Sequence, residues 1–109
     1  MNDIREFHAH VYFDSASLEQ ARQLCDAAGE TFDLRVGRVH ERLVGPHPRW
    51  SCQLAFAPPL FGEVIPWLAL HRDGLTVFVH PDTDDVIKDH TQHALWMGEM
   101  LELNLEALK

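Results

Sequence analysis

Four stretches of the chain alternate apolar and polar residues, which is the pattern of half-buried β-strands. The predicted strands are residues 7–13, 32–42, 50–57 and 75–80. Gly37 interrupts the second stretch, and a glycine inside a strand pattern indicates a β-bulge. We therefore expect four strands, with an irregular second one.

Between and after these strands, apolar residues recur at helical spacing. The predicted helices are residues 15–28, 58–71 and 85–96. Gly29 and Gly98 are expected to end the first and third helices, and Pro66 to kink or restart the second. The alternating leucines of residues 101–105 are expected to add an edge strand.

The order of these elements predicts an α+β domain: a ferredoxin-like βαββαβ sandwich with a C-terminal helical extension. The expected sheet order is 4-1-3-2, with both main helices on one face. Strand four should run antiparallel to strand one, and strand three parallel to it. The 109 residues are expected to form a single domain, 1–109.

Composition narrows the function classes. The formal net charge is −8 without a basic run, which argues against nucleic acid and against an anionic membrane surface as partners. No apolar run reaches the ~18 residues of a membrane span, and the N-terminus is polar, so we expect a cytoplasmic protein. Cys25 and Cys52 lie far apart, which disfavours a thiolate zinc site and favours core positions.

The chain has eight histidines, and the predicted topology brings five of them together. His8, His10 and His80 should share the sheet face that the helices leave open. A bulge at Gly37 would add Arg38 and His40 to that face, and the loop carrying His47 should leave from the same end of the sheet. Neutral imidazole is a common ligand of iron, zinc and copper, so this convergence predicts a transition-metal site.

The remaining polar residues have simpler interpretations. His90 and His93 lie three apart on the predicted third helix and could also ligate, whereas His71 is expected at a surface turn. A group of acidic residues is expected to cap and solvate that helix without forming a calcium loop. These are Asp82, Asp84, Asp85 and Asp89.

Several segments together resemble the DOPA 4,5-dioxygenase family, in order and over residues 6 to 108. The segments are 8–14 (HAHVYFD), 44–48 (VGPHP), 67–68 (WL), 74–77 (GLTV), 79–81 (VHP) and 89–98 (DHTQHALWMG). The resemblance implies a ferredoxin-like fold and a non-haem Fe(II) extradiol dioxygenase that uses O₂ on a catechol such as DOPA. The family's histidine positions carry over as His8, His10, His47, His80, His90 and His93.

For that chemistry we expect His8, His10 and His80 to hold the metal, as Fe(II) or as another divalent ion such as Zn(II) after purification. His47 is the expected acid/base, and His40 could serve in either role. An Fe(II) site of this kind commonly uses two histidines and one carboxylate.

Candidates for the carboxylate ligand and for the substrate contacts come from the same part of the predicted sheet. Glu41 is the acid predicted nearest to the histidines, but strand alternation points it away, so an all-histidine site stays open. Arg38 or Arg49 could pair with a substrate carboxylate.

Two other interpretations remain open alongside the enzyme. One is a non-catalytic dimeric domain that binds a metal or a small aromatic ligand, and the other is a structural dimerisation domain with histidines at the contact. A homodimer is expected in each case, because Tyr12, Phe78 and Val39 would be exposed on the open sheet face.

Overall fold

The computed structural model describes residues 3–109, so Met1 and Asn2 of the polar N-terminus lie outside the described residues. Its five strands are β1 (Glu6–Phe13), β2 (Arg35–His40), β3 (Trp50–Phe56), β4 (Val77–Asp82) and β5 (Leu95–Met97). They form one sheet in the order β2-β3-β1-β4-β5, and neighbouring strands are antiparallel. The predicted 4-1-3-2 order and ferredoxin-like α+β class are confirmed, with β5 added beside β4.

Three α-helices accompany the sheet: α1 (Leu18–Thr31), α2 (Phe61–His71) and α3 (Val86–Asp89). The apolar sides of α1 and α2 pack on the same sheet face, where Ala9 and Val11 of β1 contribute to a single buried core. Gly29 does not end the first helix, which continues for two residues to Thr31. Pro66 lies inside α2, which is one helix over its eleven residues.

The predicted third helix is wrong beyond its first turn. α3 ends at Asp89, and residues 95–97 instead pair with β4 as an edge strand. Trp96 lies opposite Phe78 in this pairing, with ring centroids 4.5 Å apart. Gly98 therefore follows a strand. The edge strand expected at residues 101–105 is not formed, and the leucine-rich tail ends in a 3-10 turn, Leu105–Leu108. Tertiary pairing has overridden the local helical pattern.

The bulge in β2 is confirmed. Val36 pairs with Leu54 and Val39 with Cys52, so two residues of β2 face one residue of β3. A Cβ atom at Gly37 would lie 3.2 Å from the backbone oxygen of Gln53, which explains the glycine.

One expected strand direction is wrong. β3 runs antiparallel to β1, because β3 returns from β2 through a hairpin-like loop. His40 consequently pairs with Ser51, which pairs with Tyr12 near the end of β1. His40 thus lies at the opposite end of β1 from His8.

The second sheet face is covered by the chain itself. Tyr12 and Phe78 are 1% and 0% exposed, so the prediction that they are exposed is wrong. Residues 90–104, here called the covering segment, place Trp96 against both rings, and Asn104 donates a backbone hydrogen bond to the Pro46 carbonyl. The homodimer prediction loses this argument and stays a prediction.

Within residues 3–109, none of the helices has the length and apolar character needed to cross a bilayer.

Candidate metal centre

Three histidines meet on the covered sheet face. His8 and His10 project to the same side of β1, and His80 of β4 lies directly opposite His8. The His10 and His80 Nε2 atoms are 3.0 Å apart, and one nitrogen from each of the three rings lies within 4.8 Å of the others. His10 and His80 are 5% and 4% exposed, so their rings are shielded from water, whereas His8 is half-buried.

The hydrogen bond of His80 directs its free nitrogen toward this group. His80 Nδ1 donates to the Pro81 carbonyl at 2.7 Å, which leaves a lone pair on Nε2 facing His10. Neighbouring ligands held at about 2.0–2.1 Å from one metal ion are themselves about 3 Å apart. The observed 3.0 Å spacing therefore fits two ligands of one ion.

Burial keeps the His10 and His80 imidazoles neutral. It lowers the pKa of His10 well below its usual 6.5, and lowers the pKa of His80 to about 4. Neighbouring histidines lower both pKa values further. Since a metal binds the deprotonated ring, the donor set suits a transition-metal ion.

His47 lies on the loop after β2 and packs against the same group. Its ring centroid is 4.1 Å from that of His10, and its Nδ1 shares a 2.7 Å hydrogen bond with the Tyr12 hydroxyl. Burial lowers the pKa of His47 to about 4 and raises the pKa of the Tyr12 phenol, so Tyr12 stays protonated. Sequence reasoning did not identify Tyr12 as a site residue. Its position two residues after His10 does place it on the same face of β1, which is a signal that could have found it.

The other histidines divide between the site and its surroundings. His90 belongs to the site, because its ring centroid is 4.0 Å from that of His80 and its Nδ1 donates to the Val86 carbonyl. His40 is half-buried and close enough to His47 to lower its pKa, after burial and His90. His71 is exposed at the end of α2 and stacks on Trp67.

His93 turns toward Asp89. Its Nδ1 donates to Asp89 Oδ1 at 3.0 Å, and Thr83 donates to both oxygens of the same carboxylate. Asp89 is 2% exposed, so the expectation that it solvates the third helix is wrong. Asp85 does cap that helix, accepting a hydrogen bond from the Lys88 amide.

The arginines proposed as substrate contacts lie away from the three-histidine group. Arg38 is exposed at the β2 bulge. Arg49 Nη2 lies 3.4 Å from Glu99 Oε1. Arg49 also borders a polar cavity of about 580 Å³ that Tyr12 lines as well. Glu41 is exposed.

Two carboxylates lie near His8. Glu6 Oε1 is 2.7 Å from His8 Nε2, and Glu6, His8 and Asp82 form a second group with metal-ligand spacing. Both carboxylates already pair with a guanidinium, Glu6 with Arg35 and Asp82 with Arg5. A cation would have to displace these arginines, so the three-histidine group is the better candidate for a metal site. The sequence missed Glu6 because the strand was predicted to start one residue later.

The low pKa values predict that the metal-free protein loses stability in acid. In the unfolded chain these histidines bind protons near pH 6.5, whereas His47 and His80 do so near pH 4 when folded. Between those pH values the unfolded chain holds more protons, so the free energy of unfolding falls as the pH falls. His47 and His80 together give a slope of about 3 kcal/mol per pH unit, from ~1.4 per histidine, and His10, whose pKa is also lowered, adds to it in the same direction. Urea unfolding at pH 7, 6 and 5 measures it.

Exposed His71 supplies the control for this slope. The His71→Gln protein should show the same pH dependence as the wild type, and His47→Gln should lose about a third of it. A free energy of unfolding that is flat between pH 7 and 5 would contradict the burial argument.

The sequence profile of the Dopa 4,5-dioxygenase family matches residues 7–107. A crystal structure of a candidate dioxygenase from Nostoc punctiforme, at 1.46 Å resolution, superimposes with a TM-score of 0.94 and 45% sequence identity. The match covers 97% of this chain and 92% of that chain.

Two curated proteins are also similar. A DOPA 4,5-dioxygenase from Amanita muscaria is 31% identical over 98% of this chain, and an uncharacterized 21.2 kDa protein from Botryotinia fuckeliana is 39% identical over 94%. This chain spans 51% of the length of the first relative and 63% of the second.

Proposed function

The chain belongs to the Dopa 4,5-dioxygenase family, and from this premise we propose that it is a dioxygenase that opens a catechol ring with O₂ at a histidine-bound metal. The observation that carries the proposal is the group of His8, His10 and His80, whose ligand-atom spacing, together with the burial of His10 and His80, suits a metal ion. Fe(II), when bound there, would supply the redox chemistry that lets O₂ react with a catechol.

In the proposed reaction, the carbon–carbon bond beside the two hydroxyls breaks and both oxygen atoms of O₂ enter the product. The product is a conjugated semialdehyde that carries a carboxylate. The protein's part is to bind the catechol, to move its hydroxyl proton and to keep water out.

His47 is the proposed proton acceptor. In the tautomer whose Nδ1–H donates to the Tyr12 oxygen, Nε2 keeps a lone pair for the catechol proton, and the proposal requires this tautomer. Its lowered pKa means that His47 is neutral before substrate binds, and a catecholate anion beside it would then favour the imidazolium.

The covering segment supports a small-molecule site. His90 and Trp96 border a cavity of about 320 Å³, at the lower end of the usual range for ligand pockets. His90 also packs on His80, so this cavity adjoins the proposed metal ligands. Arg49 borders the other cavity, where a substrate carboxylate would compete with Glu99 for its guanidinium.

Oxygen uptake tests the proposed activity. The protein is reconstituted with Fe(II) without air and mixed with a panel of catechols in an oxygen electrode, while the visible spectrum is recorded. We expect oxygen to fall and a yellow semialdehyde absorbance to grow together. The Zn(II) form should be inert, because zinc has no accessible redox change.

A failed uptake experiment would favour the alternative function. If the Fe(II) protein binds catechols but consumes no oxygen with any of them, the chain is a metal- or aromatic-ligand-binding domain. If the purified chain takes up neither metal nor catechol, both functions fail.

A further inference from the structure

Glu6 and His8 are joined by a short hydrogen bond on the covered sheet face. They lie two residues apart on β1, so their side chains project to the same side. His8 Nε2 is 2.7 Å from Glu6 Oε1, and a carboxylate can only accept at that distance. His8 therefore carries a proton on Nε2, and in the neutral ring Nδ1 is the nitrogen left with a lone pair.

Arg35 holds this carboxylate in place from β2. Its Nη2 lies 2.9 and 3.1 Å from the two oxygens of Glu6. In the sheet register, Arg35 pairs with Ala55, and Ala55 pairs with His8. The small Ala55 side chain between them leaves the guanidinium room to reach across β3.

The charge of Glu6 is also fixed by these contacts. Both oxygens of Glu6 lie within hydrogen-bond distance of the Arg35 guanidinium, which favours the carboxylate form. The Glu6 side chain is 23% exposed and that of His8 is 19% exposed, so the hydrogen bond between them is partly shielded from water.

We propose that Glu6 is a positioning residue for the metal centre: its carboxylate, held by Arg35, sets the tautomer and orientation of His8 so that Nδ1 is the metal-binding atom. The inference rests on the metal site of the proposed function. A metal-ligating histidine generally donates its second ring N–H to an oxygen, which fixes the ring and raises its basicity. His80 does so through the Pro81 carbonyl, and Glu6 gives His8 the same kind of partner.

Zn(II) affinity, measured by competition with a chelator, tests this role without any substrate. Glu6→Ala should weaken Zn(II) binding by about 10–100-fold, as expected for loss of such a partner. Glu6→Gln should recover part of that loss, since its amide oxygen can still accept from His8 Nε2. Glu19→Gln is the control, because it removes the same charge from exposed α1, where Glu19 pairs only with Arg22 among the ion pairs of residues 3–109.

Imidazole ¹⁵N NMR of the metal-free protein gives a second measurement. The wild type should show His8 with its proton on Nε2, and Glu6→Ala should show a mixture of tautomers. Arg35→Gln keeps Glu6 and provides a second variant if Glu6→Ala fails to fold; it should weaken Zn(II) binding less than Glu6→Ala.

The results separate this role from its alternatives. Wild-type affinity and an unchanged tautomer in Glu6→Ala would overturn the proposal. Complete loss of Zn(II) in Glu6→Ala would also overturn it, since Glu6 would then be a ligand. If the affinities follow expectation but no catechol is oxidised, the proposed activity fails and the positioning role stands. If the wild type binds no metal, the proposed function loses its metal, and the positioning role fails with it.

Discussion

The His80→Ala protein is expected to bind no transition metal and, for that reason, to consume no oxygen with any catechol. His80 supplies one of three convergent nitrogens. It is the one that comes from β4, whereas His8 and His10 lie on β1. Without it, only two imidazoles of that group remain, which is fewer than the three protein ligands that catalytic sites commonly use. Metal analysis after Fe(II) or Zn(II) reconstitution and dialysis measures the loss.

The control is His71→Ala, which should keep about one metal per chain and full activity. His71 is exposed at the end of α2, where it contacts the backbone and ring of Trp67. Circular dichroism of the metal-free His80→Ala protein should show a folded domain, so that lost metal reflects a lost ligand. If folded His80→Ala retained one tightly bound metal, the three-histidine ligand set would be wrong.

The pairing that creates the proposed metal site could be predicted because strand alternation is strict. Apolar alternation in residues 7–13 and 75–80 places His8, His10 and His80 on one face, and this placement does not depend on where the strands end. The ferredoxin-like order then makes the two strands antiparallel neighbours. Face and neighbour together bring His8 opposite His80.

The covering segment could not be predicted, because its placement depends on long-range pairing. Residues 85–96 have a helical apolar pattern. In the fold, however, Trp96 packs its ring against Phe78 and Tyr12, a contact that a helix on the surface would not provide. No local sequence pattern indicates that these residues return across the sheet. The predicted exposed face, and the argument for a dimer drawn from it, were lost for the same reason.

The error in strand direction and the missed carboxylate have smaller causes. Placing β3 parallel to β1 moved His40 to the wrong end of the sheet, although the bulge put it on the correct face. Starting the first strand at Phe7 left out Glu6, which has the same parity as His8. Element ends are the least certain part of a sequence pattern, and here one residue concealed a contact of His8.

The His47→Ala protein is expected to keep its metal and lose most of its rate, by about 10²–10⁴-fold, the usual contribution of a general acid or base. His47 packs on His10 and is held by Tyr12, but it lies outside the group of three converging ligand nitrogens. Steady-state oxygen uptake and metal content, measured on the same sample, separate the two effects.

Tyr12→Phe provides the matched comparison, because it removes the hydrogen bond to His47 Nδ1 and leaves the ring that packs against Trp96. Its rate should fall less than that of His47→Ala, since the imidazole remains but its tautomer is no longer fixed. A fully active His47→Ala protein would refute the role of His47 and leave the metal site intact. His90, whose ring lies 4.0 Å from that of His80 and borders the smaller cavity, would then be tested as the proton acceptor ahead of His40.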